Sequence, residues 1–262
     1  MGLAATLLAG LALAAPGGAG EPVPCRGGCW EPRPTTRPWQ LQLQGRIDLS
    51  VRSHVYDVDG LDTGRRAVTR LHRRGRRAVC YLNAGAWERW RSDAGRYPPE
   101  VLGRPLEGWP GERWLDIRRT DVIGPRIRAR MRVCARKGFD AVDPDNVDGY
   151  ANRTGFPLRA ADQLRFNRFI AAEAHRLGLA VGLKNDADQA RKLVRHFDFA
   201  VVEQCFRYRE CSAYAPFVRA GKPVFAVEYE LPRSRFCAEA RQLGFSAIRK
   251  RLSLGPWRAG CG

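Results

Sequence analysis

Lysine is scarce in this chain. Of 45 basic residues in 262, five are Lys (137, 184, 192, 222 and 250) and the other 40 are Arg. The arginines spread along predicted helices and loops, as in Arg65-Arg66 and Arg73-Arg74, with no recognition-helix or RNA-binding motif beside them. A net charge of +18 therefore speaks to solubility and nonspecific contact, and no specific nucleic-acid partner is expected. Arginine replacing lysine on solvated faces, through codon bias, accounts for the excess. Histidine is sparse too: His54, His72, His175 and His196 stand far apart, and no Cys-x-x-Cys occurs. That argues against the usual zinc spacings, so neither a metal nor a cofactor is expected. Gly-x-Gly-x-x-Gly is absent, which argues against an open dinucleotide-binding sheet. There is no internal repeat, and beyond residue 20 no apolar run is long enough to span a membrane.

The longest apolar run is Leu3 to Ala15, followed by Pro16, Gly17, Gly18, Ala19 and Gly20. It is too short for a span and reads as the core and small-residue exit of a secretory signal, although no Lys or Arg precedes it. Residues 1–20 are thus expected to be a leader, 21–38 a Pro-rich lead-in, and 39–262 one domain, secreted and monomeric. Eight cysteines fit export, since an even count in an exported chain suggests disulfides. Eight allow 105 pairings and the sequence does not choose among them. The short-range candidates are Cys205 with Cys211 and Cys25 with Cys29; Cys80 with Cys134 and Cys237 with Cys261 come next.

From Trp39 onward, strand-like runs alternate with stretches of helical length. The runs are Gln40–Leu43, Val55–Val58, Ala78–Leu82, Ala141–Asp143, Ala180–Leu183, Ala200–Val202, Val224–Val227 and Ala247–Arg249. Gly75, Gly138, Gly178, Gly221 and Gly244 each stand between a helical stretch and the next strand, where glycine ends helices. Eight strands with helical connections predict a closed (β/α)8 TIM barrel, whose length of about 250 residues this chain matches. Residues 84–119 form an insertion after the third strand.

In such a barrel the chemistry lies at the C-terminal ends of the strands. Those ends carry Asp57 and Asp59, Asn83, Asp143 and Asp145-Asn146 with Asp148, Lys184-Asn185-Asp186, Glu203-Gln204, and Glu228-Tyr229-Glu230. Acids gather there in an otherwise basic protein. Asp145 and Glu203 are two βα units apart, on the fourth and sixth strands, and suit a glycosidase pair: an acid for the leaving oxygen and a carboxylate as nucleophile or base. Each acid taken alone fits a helix cap or an arginine partner equally well.

At these residues the chain resembles glycoside hydrolase family 114, the endo-α-1,4-polygalactosaminidases. The likeness runs from Trp39 to about Lys250 and rests on WQLQLQGRID (39–48), VYDVDGLDT (55–63), VCYLNAGAWERWR (79–91), GFDAVDPDNVDGY (138–150), GLAVGLKND (178–186), FAVVEQC (199–205) and VFAVEY (224–229). It implies a barrel fold, Asp145 and Glu203 as the catalytic pair, and an endo-acting enzyme on galactosamine-containing exopolysaccharide. The family's first strand more often has a second Trp where this chain has Leu41.

With Asp145 as nucleophile and Glu203 as acid/base, the acids Asp57, Asp59, Asp143, Asp148 and Glu228 are expected to pair with amino-sugar ammonium groups. Asn83, Asn146, Tyr150, Gln204 and Tyr229 complete the expected sugar contacts, and Lys184 is expected to salt-link Asp145 or Glu203 rather than form a Schiff base. Trp87, Trp90, Tyr97, Trp109 and Trp114 of the insertion form either a stacking wall or a small satellite core. Two other functions fit the composition: a sugar-binding barrel without catalysis, and a basic polyanion-binding surface protein.

Overall fold

The computed structural model describes residues 21–36 and 38–261; the expected leader at 1–20 lies outside the described residues. In chain order the elements are β1 (Trp39–Gln42), β2 (Val55–Asp59), α1 (Arg65–His72), β3 (Arg77–Asn83), β4 (Ala86–Glu88), β5 (Leu102–Pro105), β6 (Glu112–Leu115), α2 (Thr120–Lys137), β7 (Ala141–Asp145), α3 (Ala160–Arg176), β8 (Ala180–Lys184), α4 (Ala190–Leu193), β9 (Phe199–Glu203), α5 (Ala215–Arg219), β10 (Val224–Glu228), α6 (Cys237–Gln242), β11 (Ser246–Arg249) and β12 (Ala259–Gly260). The strands β1, β2, β3, β7, β8, β9, β10 and β11 follow one another in a single parallel sheet, with β12 antiparallel on β11. The sheet curls until β1 meets β11, where the Trp39 indole donates to the Ser246 carbonyl at 2.8 Å. This is the (β/α)8 barrel expected from the alternation.

Two apolar layers hold it. One row of each strand faces inward: Trp39, Leu41, Val55, Val79, Ala141, Ala180, Phe199, Val201, Phe225, Val227 and Ile248. The other row, including Val58, Leu82, Val142, Val181, Val202 and Ala226, packs outward against the helices. The five glycines between helix and strand all lie at φ between +68° and +87°, where other residues are strained.

One connection differs from the expected pattern. Residues 43–54, between β1 and β2, contain no helix. The Gln42 side chain takes over the loop's backbone groups, donating to the carbonyls of Gln44 and Arg46 and accepting from the Asp48 N–H. The Tyr56 hydroxyl ties down the Val51 carbonyl. The Pro-rich lead-in closes the opposite end of the barrel, with Trp30 6.2 Å from Phe199 between ring centres.

All eight cysteines are paired: Cys25–Cys29, Cys80–Cys134, Cys205–Cys211 and Cys237–Cys261. Cys80–Cys134 joins β3 to α2 across 54 residues of chain. A loop of that length predicts a loss of about 2–4 kcal/mol when both are replaced by alanine, by restoring freedom to the unfolded chain. Urea unfolding of the double variant measures it, and thiol titration of the denatured, unreduced protein should find no free sulfhydryl. No helix among the described residues is long and apolar enough to cross a membrane.

Candidate active site

Inward-facing residues along each strand continue from apolar to polar toward the C-terminal end. Beyond Ala141 on β7 come Asp143 and Asp145; beyond Ala180 on β8 comes Lys184; beyond Val201 on β9 comes Glu203. Asp145, Lys184 and Glu203 are the last residues of three adjacent strands, so a lysine stands between two carboxylates. Lys184 Nζ lies 3.0 Å from Asp143 Oδ2 and 3.8 Å from both Asp145 Oδ1 and Glu203 Oε2. Burial works against the Lys184 ammonium, but Asp143, then Asp145 and Glu203, outweigh it and hold it charged.

The backbone turns sharply after each of these three. Asn146, Asn185 and Gln204 follow them at φ of 59°, 49° and 56°. Left-handed conformations are tolerable for Asn and costly for Gln, and such strain gathers where side-chain aim is over-determined. The β7–β8 ladder ends at Val142 and Val181, short of Pro144, which has no N–H to give. The start of the insertion fits against this turn: a Cβ on Gly85 would fall on the Asn146 carbonyl. Gly85 and Ala84 instead donate to the Asp145 carbonyl, each at 3.1 Å.

Each carboxylate of the pair is hydrogen-bonded. Asp145 accepts from the Tyr81 hydroxyl at 2.7 Å and from the Asn146 N–H at 2.9 Å. Glu203 accepts from the Tyr229 hydroxyl and, at 3.4 Å, from Asn185 Nδ2, whose Oδ1 in turn accepts the Glu203 N–H. Burial and the facing carboxylates push both phenols well above their ordinary range, so both remain donors.

The other expected residues fall into separate places. Asp57 and Asp143 are buried one level below Asp145, out of contact with the cleft. Glu228 belongs to the outward row of β10, where it accepts the Phe206 N–H at 2.9 Å; its role in the fold is to hold the loop after Glu203. Asp59 is engaged by Arg91 at 2.6 Å. Asn83 binds the Ala86 N–H, Asn146 and Glu112, locking the insertion to the strand ends. Asp148 lines the cleft, its carboxyl pushed up to about 6 by burial and by Asp145. Tyr150 faces Asp188 at 3.5 Å. The Gln204 side-chain oxygen is buried without a protein donor.

Sequence reasoning missed Tyr81, Glu88 and Glu112. Tyr81 was hidden in an apolar strand; Asn185 stood among the polar strand ends, but its contact with Glu203 comes only from the fold. The other two had a signal: Glu88-Arg89-Trp90 and Glu112-Arg113-Trp114 repeat one tripeptide, and β4 and β6 pair Glu88 directly with Glu112. Glu88 is matched by Arg91 and Arg130, at 2.8 and 3.1 Å. Glu112 accepts from Asn83, and burial, then Glu88 and Asp145, push its carboxyl up to about 8.

Together these walls enclose a cleft of about 370 Å³. Its lining holds eight acids (Asp59, Asp62, Glu88, Glu107, Glu112, Asp145, Asp148 and Glu203) against two bases, Arg91 and Lys184. A protein of charge +18 thus presents an acidic cleft, suited to a cationic ligand. Tyr97 is buried in the main apolar core, Trp114 is buried but borders the cleft, and Trp90 and Trp109, 55% and 44% exposed, line it as well. Among the described residues no group of three or more His, Cys, Asp or Glu is arranged to hold a metal ion.

The sequence pattern of glycoside-hydrolase family GH114 matches residues 21–262. Among solved structures, Aspergillus fumigatus Ega3, crystallised with galactosamine, is 35% identical with a TM-score of 0.84, covering 90% of this chain and 99% of its own. The glycoside hydrolase domain of PelA from Pseudomonas aeruginosa is 14% identical with a TM-score of 0.66, covering 85% and 96%, a likeness of fold. No curated protein sequence matches.

Proposed function

Because the chain belongs to glycoside-hydrolase family GH114, and is a glycoside hydrolase, we propose that it cleaves α-1,4-linked galactosamine polysaccharide internally with Asp145 and Glu203. The observation that carries this reading is the carboxylate pair astride Lys184 at the floor of an acidic cleft. Glu203 gives its proton to the glycosidic oxygen as the bond to C1 breaks, and an Asp145 oxygen closes on C1 as a glycosyl ester. Glu203 then takes a proton from water, the water oxygen attacks C1, and Asp145 leaves as carboxylate. Lys184, Tyr81 and Asn146 hold the nucleophile in place. Both carboxylate oxygens lie 3.8 Å from one ammonium nitrogen, which keeps the two groups within reach of a single sugar. NMR of the first-formed anomer tests retention; an inverted product would reassign Asp145 as base.

A free ammonium on each sugar explains the acids of the cleft, since charge-assisted hydrogen bonds to carboxylates are strong. Deacetylated polygalactosamine should therefore yield new reducing ends faster than the N-acetylated polymer. If neither polymer is shortened, the substrate reading fails. Ega3 was crystallised with galactosamine, which supports the same sugar here. Trp90 and Trp109 offer a platform for a sugar ring away from the cleavage point. Replacing both by alanine should raise KM on polymer by about 10-fold, roughly 1.4 kcal/mol, with kcat little changed. The four disulfides support export, since disulfides persist in oxidising compartments.

A further inference from the structure

Beneath the catalytic layer lies a buried pair that the reaction itself does not use. Asp57 comes from β2 and Asp143 from β7, two strands along, and side chains from alternate strands share a level inside such barrels. Both are buried, and they stand within hydrogen-bond reach of each other. Of their four carboxyl oxygens, three have no N–H or O–H donor among the described residues: both of Asp57 and Oδ1 of Asp143. The fourth, Asp143 Oδ2, receives the Lys184 ammonium at 3.0 Å. Two carboxylates cannot face each other there without water or a second cation, because each would be a buried acceptor facing a buried acceptor.

We propose that Asp57 is a neutral carboxylic acid whose O–H donates to Asp143, and that this proton positions Lys184 between Asp145 and Glu203. The charged groups that act most strongly on Asp57 are Asp143 and Asp145 from β7 and Lys184 from β8. Asp143 keeps the negative charge because it is the one touching Lys184. With the shared proton, Asp57, Asp143 and Lys184 sum to zero. The reacting carboxylates then sit above a neutral floor, and the ammonium is aimed up at them. Burial, then the charge of Asp143, pushes the Asp57 carboxyl well above the ordinary carboxylate range, in the direction this arrangement needs. Asp57 is thereby a positioning residue, acting through Asp143 and Lys184 rather than on the sugar.

The inference rests on the glycosidase reading for its kinetic arm only. In the resting protein labelled with carboxyl-13C aspartate, one Asp carboxyl carbon should stay at its protonated position from about pH 5 to pH 9. Asp186, pushed up to about 8 by burial and Asp148, would shift inside that range and so is distinguishable. The unshifted resonance should vanish in Asp57→Asn. If no Asp carboxyl carbon keeps its protonated position up to about pH 9, the proposal is overturned with no substrate in the tube, whatever the enzyme cleaves. On polymer, Asp57→Ala should lower kcat about 100-fold with KM little changed, the scale of a misplaced catalytic group. Asp57→Asn, whose amide can still donate to Asp143, should recover kcat to within about 5-fold of the parent. Asparagine no better than alanine would mean that a charge at Asp57 is required, and would sink the idea.

Discussion

Asp145→Asn and Glu203→Gln should each slow polysaccharide cleavage by about 1,000-fold or more while the protein unfolds at an unchanged urea midpoint. Both changes keep the shape of the side chain, and the Tyr81 and Tyr229 hydroxyls can still donate to the remaining carbonyl oxygen. Removing the charge of Asp145 takes away the electron pair that closes on C1. Removing the acid of Glu203 leaves the glycosidic oxygen to depart as an unprotonated alkoxide. The two roles separate with azide on a substrate that has a good leaving group. Glu203→Ala should form a glycosyl azide of unchanged configuration from the Asp145 ester, whereas Asp145→Ala should give the inverted azide. Either variant retaining full activity would remove its residue from the mechanism.

Folding should be most stable in mildly acidic solution and weaken as pH rises. Glu112 is the plainest contributor: burial and neighbouring acids lift it from an ordinary 4.5 to about 8. Below pH 4.5 the folded and unfolded chains both hold this proton, and its pH term is zero. Between 4.5 and about 8 the folded chain keeps the proton that the unfolded chain has released, so stability falls by about 1.4 kcal/mol per pH unit. Above about 8 both are ionised and the loss is complete. Asp186 acts in the same sense from 3.8 to about 8. Denaturant titrations at about pH 5, 6.5 and 8 should show a monotonic fall of several kcal/mol. Glu112→Gln should flatten the slope and be the more stable form at the alkaline end. A flat or rising profile would show that these carboxyls ionise freely in the folded protein. The arrangement has a physical cost: burial first, and then the neighbouring carboxylates, disfavour the charged form of these acids.

Much of this was legible in the residues. Eight strand cores, five helix-ending glycines and the acids at strand ends follow from local rules of composition and periodicity, and the four cysteine pairs were among the short list. Depth and facing were not legible. In Val55-Tyr56-Asp57-Val58-Asp59 and Val224-Phe225-Ala226-Val227-Glu228, both faces of the strand are buried, one by the barrel interior and one by helices. Hydrophobicity then stops alternating, and nothing in the sequence tells which parity points inward. Glu228 was read as a sugar ligand for that reason, and it turned out to brace a loop from the outer layer.

By itself, then, the sequence determined the barrel, the end of it where acids gather, and the two strands that bear Asp145 and Glu203, because each depends on order along the chain. The tertiary structure decided what depends on closure. Lys184 falls between Asp145 and Glu203 because its strand lies between theirs, and Asp57 meets Asp143 because alternate strands share a level. The insertion brings Glu88, Glu112, Trp90 and Trp109 to the cleft only by folding back over strand ends far from them in sequence. Such meetings are set by curvature and register in three dimensions, and no local pattern of residues encodes them.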